Sequence, residues 1–286
     1  MRRGPALIGA ATTVALSGLL LSGCSAYPYG FPSASPSGSA SPSATAVPLG
    51  SPFGDVAPRE SVTDELGTYL HVTLSPVAAV ATTVDPATLG DLIEGSSWDD
   101  ASLLAAQRFV ATFVAEQAID SSALDRDEAG WDGWLTDVAP NYLGPDAADV
   151  IGKPTGGIDR ATPIFNDPND TTPKLVRDGL ARLDDASIAV TELQNQPREG
   201  GERLIVTGTA DVTYRLTDAE AIVYLLDQGY EQDTIDGFGE LLDGEDGHLL
   251  THLDWSYSVE RSGDDGWLIR QYTFTSDSNI EGVFQA

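Results

Sequence analysis

The sequence predicts an α+β domain in which N-terminal helices pack on one face of a curved antiparallel sheet, after a disordered Ser/Pro-rich tether. Two patterns carry this prediction. Apolar residues recur at helical spacing in the first half of the chain, and apolar and polar residues alternate strictly in the second half. Helical segments followed by a run of strands are typical of α+β domains, because consecutive strands then pair with one another.

Composition divides the chain into three parts. Residues 1–23 form a leader, residues 24–58 a tether, and residues 59–286 a single domain large enough to bury a substantial core. The tether consists largely of Ser, Pro, Ala and Gly and has no charge before Asp55. Such a composition cannot bury enough apolar surface to offset the entropy of ordering, so we expect a flexible spacer.

The leader ends at the only cysteine of the chain. Arg2 and Arg3 precede an uncharged apolar run from Ala6 to Leu21, the layout of a secretory signal. The run is short for a membrane-spanning helix, which needs about 20 apolar residues. The stretch Leu21-Ser22-Gly23-Cys24 resembles the lipobox of bacterial lipoproteins. The resemblance implies cleavage before Cys24, lipidation of its sulfur (palmitate) and attachment to the extracytoplasmic face of the cell membrane.

The chain is strongly acidic, with 44 Asp and Glu against 15 Lys and Arg and a formal net charge of -29. This charge argues against nucleic acid and against anionic lipid headgroups as partners, whereas it permits cation binding. A few basic residues stand out and either contact an anionic ligand or pair with the chain's own carboxylates: Lys153, Arg160, Lys174, Arg177 and Arg182. The second interpretation is favoured, because acidic residues are in large excess.

The predicted helices lie mainly before residue 140. Asp85-Pro86 begins a short helix that ends near Glu94. Ser97 is the predicted N-cap of the longest helix, over about 99–120. A shorter helix then ends near Pro140, and a further turn is predicted at 145–151. A short helix is predicted after Pro173, with Leu175, Leu180 and Leu183 as its apolar side. The expected buried positions of the longest helix share helical spacing: Leu103, Ala106, Val110, Phe113 and Val114.

The predicted strands follow, over about 188–194, 204–216, 249–259 and 267–275, with a helix at 218–228 as an insertion. In the third strand Trp255, Tyr257 and Val259 alternate with polar residues and should face the core. Asp264-Asp265-Gly266 predicts a hairpin turn.

Residues 99–276 resemble the nuclear-transport-factor-2-like superfamily, also called the cystatin-like cone fold. The resemblance is carried by the short helix with Trp131-Asp132-Gly133-Trp134 and by the closing hairpin with Gly266-Trp267-Leu268-Ile269-Arg270. It implies a cone-like sheet whose mouth is closed by short helices. Because functions vary widely in this superfamily, the resemblance implies no particular reaction.

Three aromatic residues form the candidate ligand pocket: Trp131, Trp134 and Tyr142. Aromatic side chains at this spacing line a pocket or stack on a sugar in some proteins, and in most they fill the core. In the resembling family the short helices lie at the mouth of the cone, so both roles are compatible with these residues.

Two other polar clusters are more typical of a solvated surface than of a metal site. His248, His252 and Asp254 share one face of a strand, but the two histidines are about 13 Å apart at ~3.3 Å per residue, too far to bind one zinc ion. The acidic segment 231–247 offers carboxylates to calcium, although its spacing does not fit the known calcium loop. We therefore predict no metal site and no cofactor.

The sequence provides no nucleophile elbow, zinc-protease helix, phosphate loop or second cysteine. Asp211 is at most a weak catalytic candidate, because Val212 and Tyr214 take the core side of its strand. The leading hypothesis is therefore a lipid-anchored surface protein whose domain binds a small ligand or an envelope protein without catalysis. The alternative is a small cone-fold enzyme that acts on a cell-envelope substrate.

Overall fold

The chain combines two β-sheets with short helices, which confirms the predicted α+β class. The computed structural model describes residues 56–74, 84–90, 96–125, 128–144, 151, 163–165, 173–199, 201–216, 222, 225–226, 229–233, 247–263 and 266–281. Cys24, most of the predicted tether, the turn at 145–150 and residues 234–246 of the acidic segment lie outside these ranges, as does most of the predicted helix at 218–228.

Seven strands lie within the described ranges: β1 (Val56–Asp64), β2 (Gly67–Leu74), β3 (Asp178–Ala181), β4 (Leu183–Arg198), β5 (Gly201–Leu216), β6 (Gly247–Ser262) and β7 (Gly266–Glu281). Strands β4 to β7 form an antiparallel sheet in sequence order. Strands β1, β2 and β3 form a second sheet, in which β2 and β3 are parallel. Strand β1 begins inside the range predicted as tether, at Val56.

Three α-helices have both ends within the described ranges: α1 (Asp100–Phe113), α2 (Glu128–Gly133) and α3 (Ala139–Leu143). Two π-helical turns continue them, Val114–Ala118 after α1 and Trp134–Val138 between α2 and α3. Single 3-10 turns lie at Pro86–Thr88 and Ser122–Leu124.

The N-cap of α1 is Asp99, so the prediction of Ser97 was wrong. The Asp99 carboxylate accepts a hydrogen bond from the Ser102 amide at 2.8 Å. Ser97 instead donates its hydroxyl and its amide to the carboxylate of Glu202, both at 2.7 Å. The Glu202 carboxylate of β5 thus binds Ser97, and Asp99 caps the helix instead.

The core lies between the helices and the inner face of the four-stranded sheet. All five predicted positions of the longest helix are buried, four of them in α1 and Val114 in the π-helical turn that follows it. The Phe113 ring meets the Tyr257 ring edge to face at 5.5 Å, which places α1 on the inner face of β6. Trp255, Tyr257 and Val259 are buried as predicted, and Ser256 lies on the opposite face.

The helix predicted after Pro173 is absent. Leu175 forms an isolated bridge with Asp125, Leu180 lies exposed in β3, and Leu183 begins β4. The spacing of these three leucines fits a helix, but hydrogen bonds to β2 and β5 satisfy the backbone better. Of the short helix predicted from Asp85 to Glu94, the described residues show a 3-10 turn with Asp85 as the predicted N-cap, and residues 91–94 lie outside the described ranges.

Candidate functional site

A groove of about 320 Å³ lies on the outer face of the four-stranded sheet. The antiparallel register places Asp211 of β5 beside His252 of β6, and His252 beside Asp277 of β7. Because side chains alternate along a strand, all three face away from the core. Asp185, Ser187 and Thr213 add to the lining, together with the apolar residues Val212 and Leu250. Residues far apart in sequence thus form one acidic surface.

His252 is the basic residue of this groove. Its Nδ1 lies 2.7 Å from Asp211 Oδ1, and its Nε2 lies 3.8 Å from Asp254 Oδ1. The hydrogen bond with Asp211 raises the pKa of His252, and the charges of Asp211, Asp254 and Asp277 act in the same direction. The neighbouring carboxylates therefore favour the protonated form of His252 more than in a free histidine, and that form offsets part of the negative charge of the groove.

This arrangement suits binding better than catalysis. Both nitrogens of His252 face carboxylates, so neither is directed at a hydroxyl nucleophile. His248 pairs with a different carboxylate, that of Asp184 at 2.9 Å. Within the described ranges no group of three or more histidine, cysteine or acidic residues is placed to hold a metal ion. Asp211 is exposed, while Val212 and Tyr214 are buried, as the alternation predicts.

The candidate pocket residues Trp131, Trp134 and Tyr142 lie on the helical side of the domain. Trp131 and Trp134 are 5 % and 1 % exposed and stack at 5.6 Å between ring centroids. Trp134 donates its indole N–H to Gln117 at 3.0 Å. The two tryptophans therefore serve as core, whereas Tyr142 keeps a partly exposed ring. Their role toward a ligand stays a prediction.

Glu116 is an ionisable residue of the helical side that sequence reasoning missed. It lies in the π-helical turn after α1 and is partly buried. Burial raises its pKa, and the charge of Glu60 adds to the effect, while His71 and a hydrogen bond from the Leu74 amide oppose it. A helical wheel drawn for an unbroken α-helix does not give the direction of the Glu116 side chain, because the π turn rotates the residues after Phe113.

Two of the basic residues pair with the chain's own carboxylates, as predicted. Arg177 binds Asp64 and Asp125. Arg182 is buried and binds Asp120 Oδ1 through Nε at 3.0 Å and through a terminal nitrogen at 2.7 Å. Lys153 and Arg160 lie outside the described residues. The buried carboxylate and guanidinium are thus fully used in holding the fold together.

Replacing Glu116 by Gln should make the protein more stable at neutral pH. The pKa of Glu116 is higher in the folded than in the unfolded chain, so its contribution is most favourable at low pH and is lost as the pH rises through the folded value. Glutamine keeps an acceptor for the Leu74 amide and removes the buried charge. Urea midpoints of both proteins from about pH 4 to pH 8 should diverge as the pH rises. A difference between the two urea midpoints that does not change with pH would contradict the raised pKa of Glu116.

The comparisons with known proteins supply no family for this chain. No family model, no curated protein and no solved structure matches it. Among the residues that the structure describes, none of the helices has the length and apolarity needed to span a membrane. Fold and site together define an α+β domain with a filled core and an acidic groove on the outer face of its sheet.

Proposed function

We propose that this protein is a lipid-anchored protein of the extracytoplasmic face of the cell membrane, whose cone-like α+β domain binds an envelope partner without catalysis. The acidic groove around His252 is the observation that carries the proposal. A shallow, acidic, solvent-facing groove fits a partner that supplies positive charge and hydrogen-bond donors. Such a partner is a protein with a basic segment at its surface.

The core supports binding over the alternative of a cone-fold enzyme. An enzyme of this shape needs a deep cavity with an ionisable residue inside it. The inner side of the sheet is instead occupied by large buried side chains, among them Trp134, Tyr214 and Tyr257. The tyrosine hydroxyls are bound to the carbonyl oxygens of Ile119 and Pro163 at 3.0 and 2.8 Å, so they belong to the packing.

The anchor is tested by replacing Cys24 with Ala. The lipobox resemblance predicts that this variant takes up no palmitate and that the precursor accumulates or the protein is released into the medium. Metabolic labelling with radioactive palmitate, followed by fractionation of membranes and medium, measures both effects. Ser25→Ala, next to the modified residue, serves as the control and should be labelled like the wild type. Labelling of the Cys24→Ala protein would rule out this anchor.

The groove is tested by photo-crosslinking in living cells. A photoreactive amino acid replaces Thr213, which lines the groove, and in a second protein replaces the exposed Thr136 on the helical side. A specific adduct is expected from position 213 alone. Replacing Asp211 and Asp277 by Lys should remove that adduct, because both charges facing the partner are reversed. An adduct that survives the reversal, or forms equally from position 136, contradicts the proposed surface.

A further inference from the structure

His252 lies among carboxylates of three neighbouring strands in the outer groove. Asp211 of β5 is its cross-strand partner on one side and Asp277 of β7 on the other, and Asp254 follows two residues later on β6 itself. Because side chains alternate along each strand, all three carboxylates share the outer face of the sheet with the imidazole ring. No lysine or arginine is among the described residues that line the groove, so the carboxylates have His252 as their basic neighbour there.

The two ring nitrogens of His252 face two of these carboxylates. Nδ1 lies 2.7 Å from Asp211 Oδ1, within hydrogen-bond distance, and Nε2 lies 3.8 Å from Asp254 Oδ1. A protonated imidazole carries an N–H on both nitrogens, whereas the neutral ring carries only one and turns a lone pair toward the other carboxylate. The position of the ring therefore favours the proton, and the hydrogen bond with Asp211 is the largest cause of the raised pKa of His252.

A cation that enters the groove needs the same carboxylates. The side chains of His252 and Asp211 are 49 % and 72 % exposed, so a partner reaches them without rearrangement of the sheet. While His252 is protonated, its positive charge occupies Asp211 and repels an incoming ammonium or guanidinium group over the width of the groove. Loss of the ring proton removes this repulsion and leaves the charges of Asp211 and Asp277 for the partner.

We infer that the ring proton of His252 and a basic partner compete for the outer groove, so that the partner binds more tightly as the pH rises and is released on acidification. This inference rests on the proposed function, because it concerns the regulation of the same groove. By linkage, the affinity changes only between the pKa of His252 in the complex and its pKa in the free protein. The latter lies above the ordinary value of a histidine, and at higher pH the affinity becomes constant.

The test uses pentalysine with an acetylated N-terminus and an amidated C-terminus, because the charge of this peptide is constant from about pH 5.5 to about pH 8. Isothermal titration calorimetry of the full-length protein at fixed salt gives the Kd at each pH. The Kd of the wild type should fall by about threefold or more over this range, as one nearby positive charge is lost. In His252→Gln, which keeps a hydrogen-bond donor but no titrating ring, the Kd should not change with pH.

His248→Gln provides the matched control. His248 lies on the same strand and pairs with Asp184 at 2.9 Å, but it is not among the residues that line the groove. This variant should keep the pH dependence of the wild type. An independent measurement follows the ring proton of His252 by NMR, with the resonance assigned by its loss in His252→Gln. Addition of pentalysine should move the titration midpoint of this resonance to lower pH, since binding and protonation oppose each other.

The outcomes separate this inference from the function proposed for the groove. If Asp211→Asn with Asp277→Asn weakens pentalysine binding at every pH while His252→Gln keeps the pH dependence of the wild type, the groove is retained and the competition is rejected. A wild-type Kd that does not change with pH, or an NMR midpoint that pentalysine does not move, also rejects the competition. A wild-type protein that binds no pentalysine, or unchanged binding in the double variant, overturns the groove and the competition together.

Discussion

Replacing Gly208 by Ala is expected to lower the free energy of unfolding by about 3 kcal/mol, the upper end of the roughly 1–3 kcal/mol that overpacking typically costs. Gly208 lies in the middle of β5, opposite Val190 of β4 and Trp255 of β6. The indole of Trp255 crosses the position that a side chain would occupy. A Cβ atom there would come within 3.0 Å of Trp255 ring atoms and of the Ala189 carbonyl oxygen. A buried ring and a backbone atom of the adjoining strand cannot both yield.

Gly201→Ala provides the matched control. Gly201 begins the same strand, is exposed, and has no neighbouring atom within 4 Å of the position that an alanine methyl group would occupy. The free energy of unfolding of the Gly201→Ala protein should therefore differ from that of the wild type by less than about 0.5 kcal/mol. Urea denaturation of the full-length proteins, followed by tryptophan fluorescence, measures both variants. Equal midpoints for the two variants would show that Trp255 does not occupy the space above Gly208.

Replacing Arg182 by Met is expected to cost about 3–5 kcal/mol, because it leaves the buried carboxylate of Asp120 without its cation. Asp120 and Arg182 are 1 % and 3 % exposed. The second oxygen of Asp120 accepts from the Val72 amide at 2.8 Å, and Arg182 also donates to the carbonyl oxygens of Pro173 and Ser121. The pair thus joins β2, the end of the helical segment and the start of β4.

The control is Arg203→Met, which breaks a partly exposed ion pair with Glu260 at 3.1 Å. Solvent screens this pair, so its loss should cost less than about 1 kcal/mol. The double replacement Asp120→Leu with Arg182→Met should be less destabilising than the sum of the single changes, since no charge then remains buried. Additive losses in urea denaturation would show that the two residues act separately.

The local sequence pattern correctly predicted those elements in which the backbone conformation and the burial of side chains follow the same period. The buried residues of α1, the long strand β5 and the inward residues of β6 all follow from periods of 3.6 and 2, because a single apolar face decides each of them. The same reasoning failed after Pro173, where Leu175, Leu180 and Leu183 have helical spacing. There the partners of the backbone are strands distant in sequence, which local spacing does not specify.

The candidate sites show the same difference between what the local sequence predicts and what the tertiary structure decides. Alternation by itself predicts that His252 and Asp254 face outward, and composition predicts an acidic surface. Only strand register brings Asp211 and Asp277 to either side of His252 and so forms the groove. Likewise, only the tertiary structure places Glu116 against β2, since the π turn changes its direction. The sequence alone determined the charge of the chain, the α+β class and the inward residues, because these depend on composition and local period. Packing decided which charges meet, because contacts between distant segments depend on register and on the space left by neighbouring side chains.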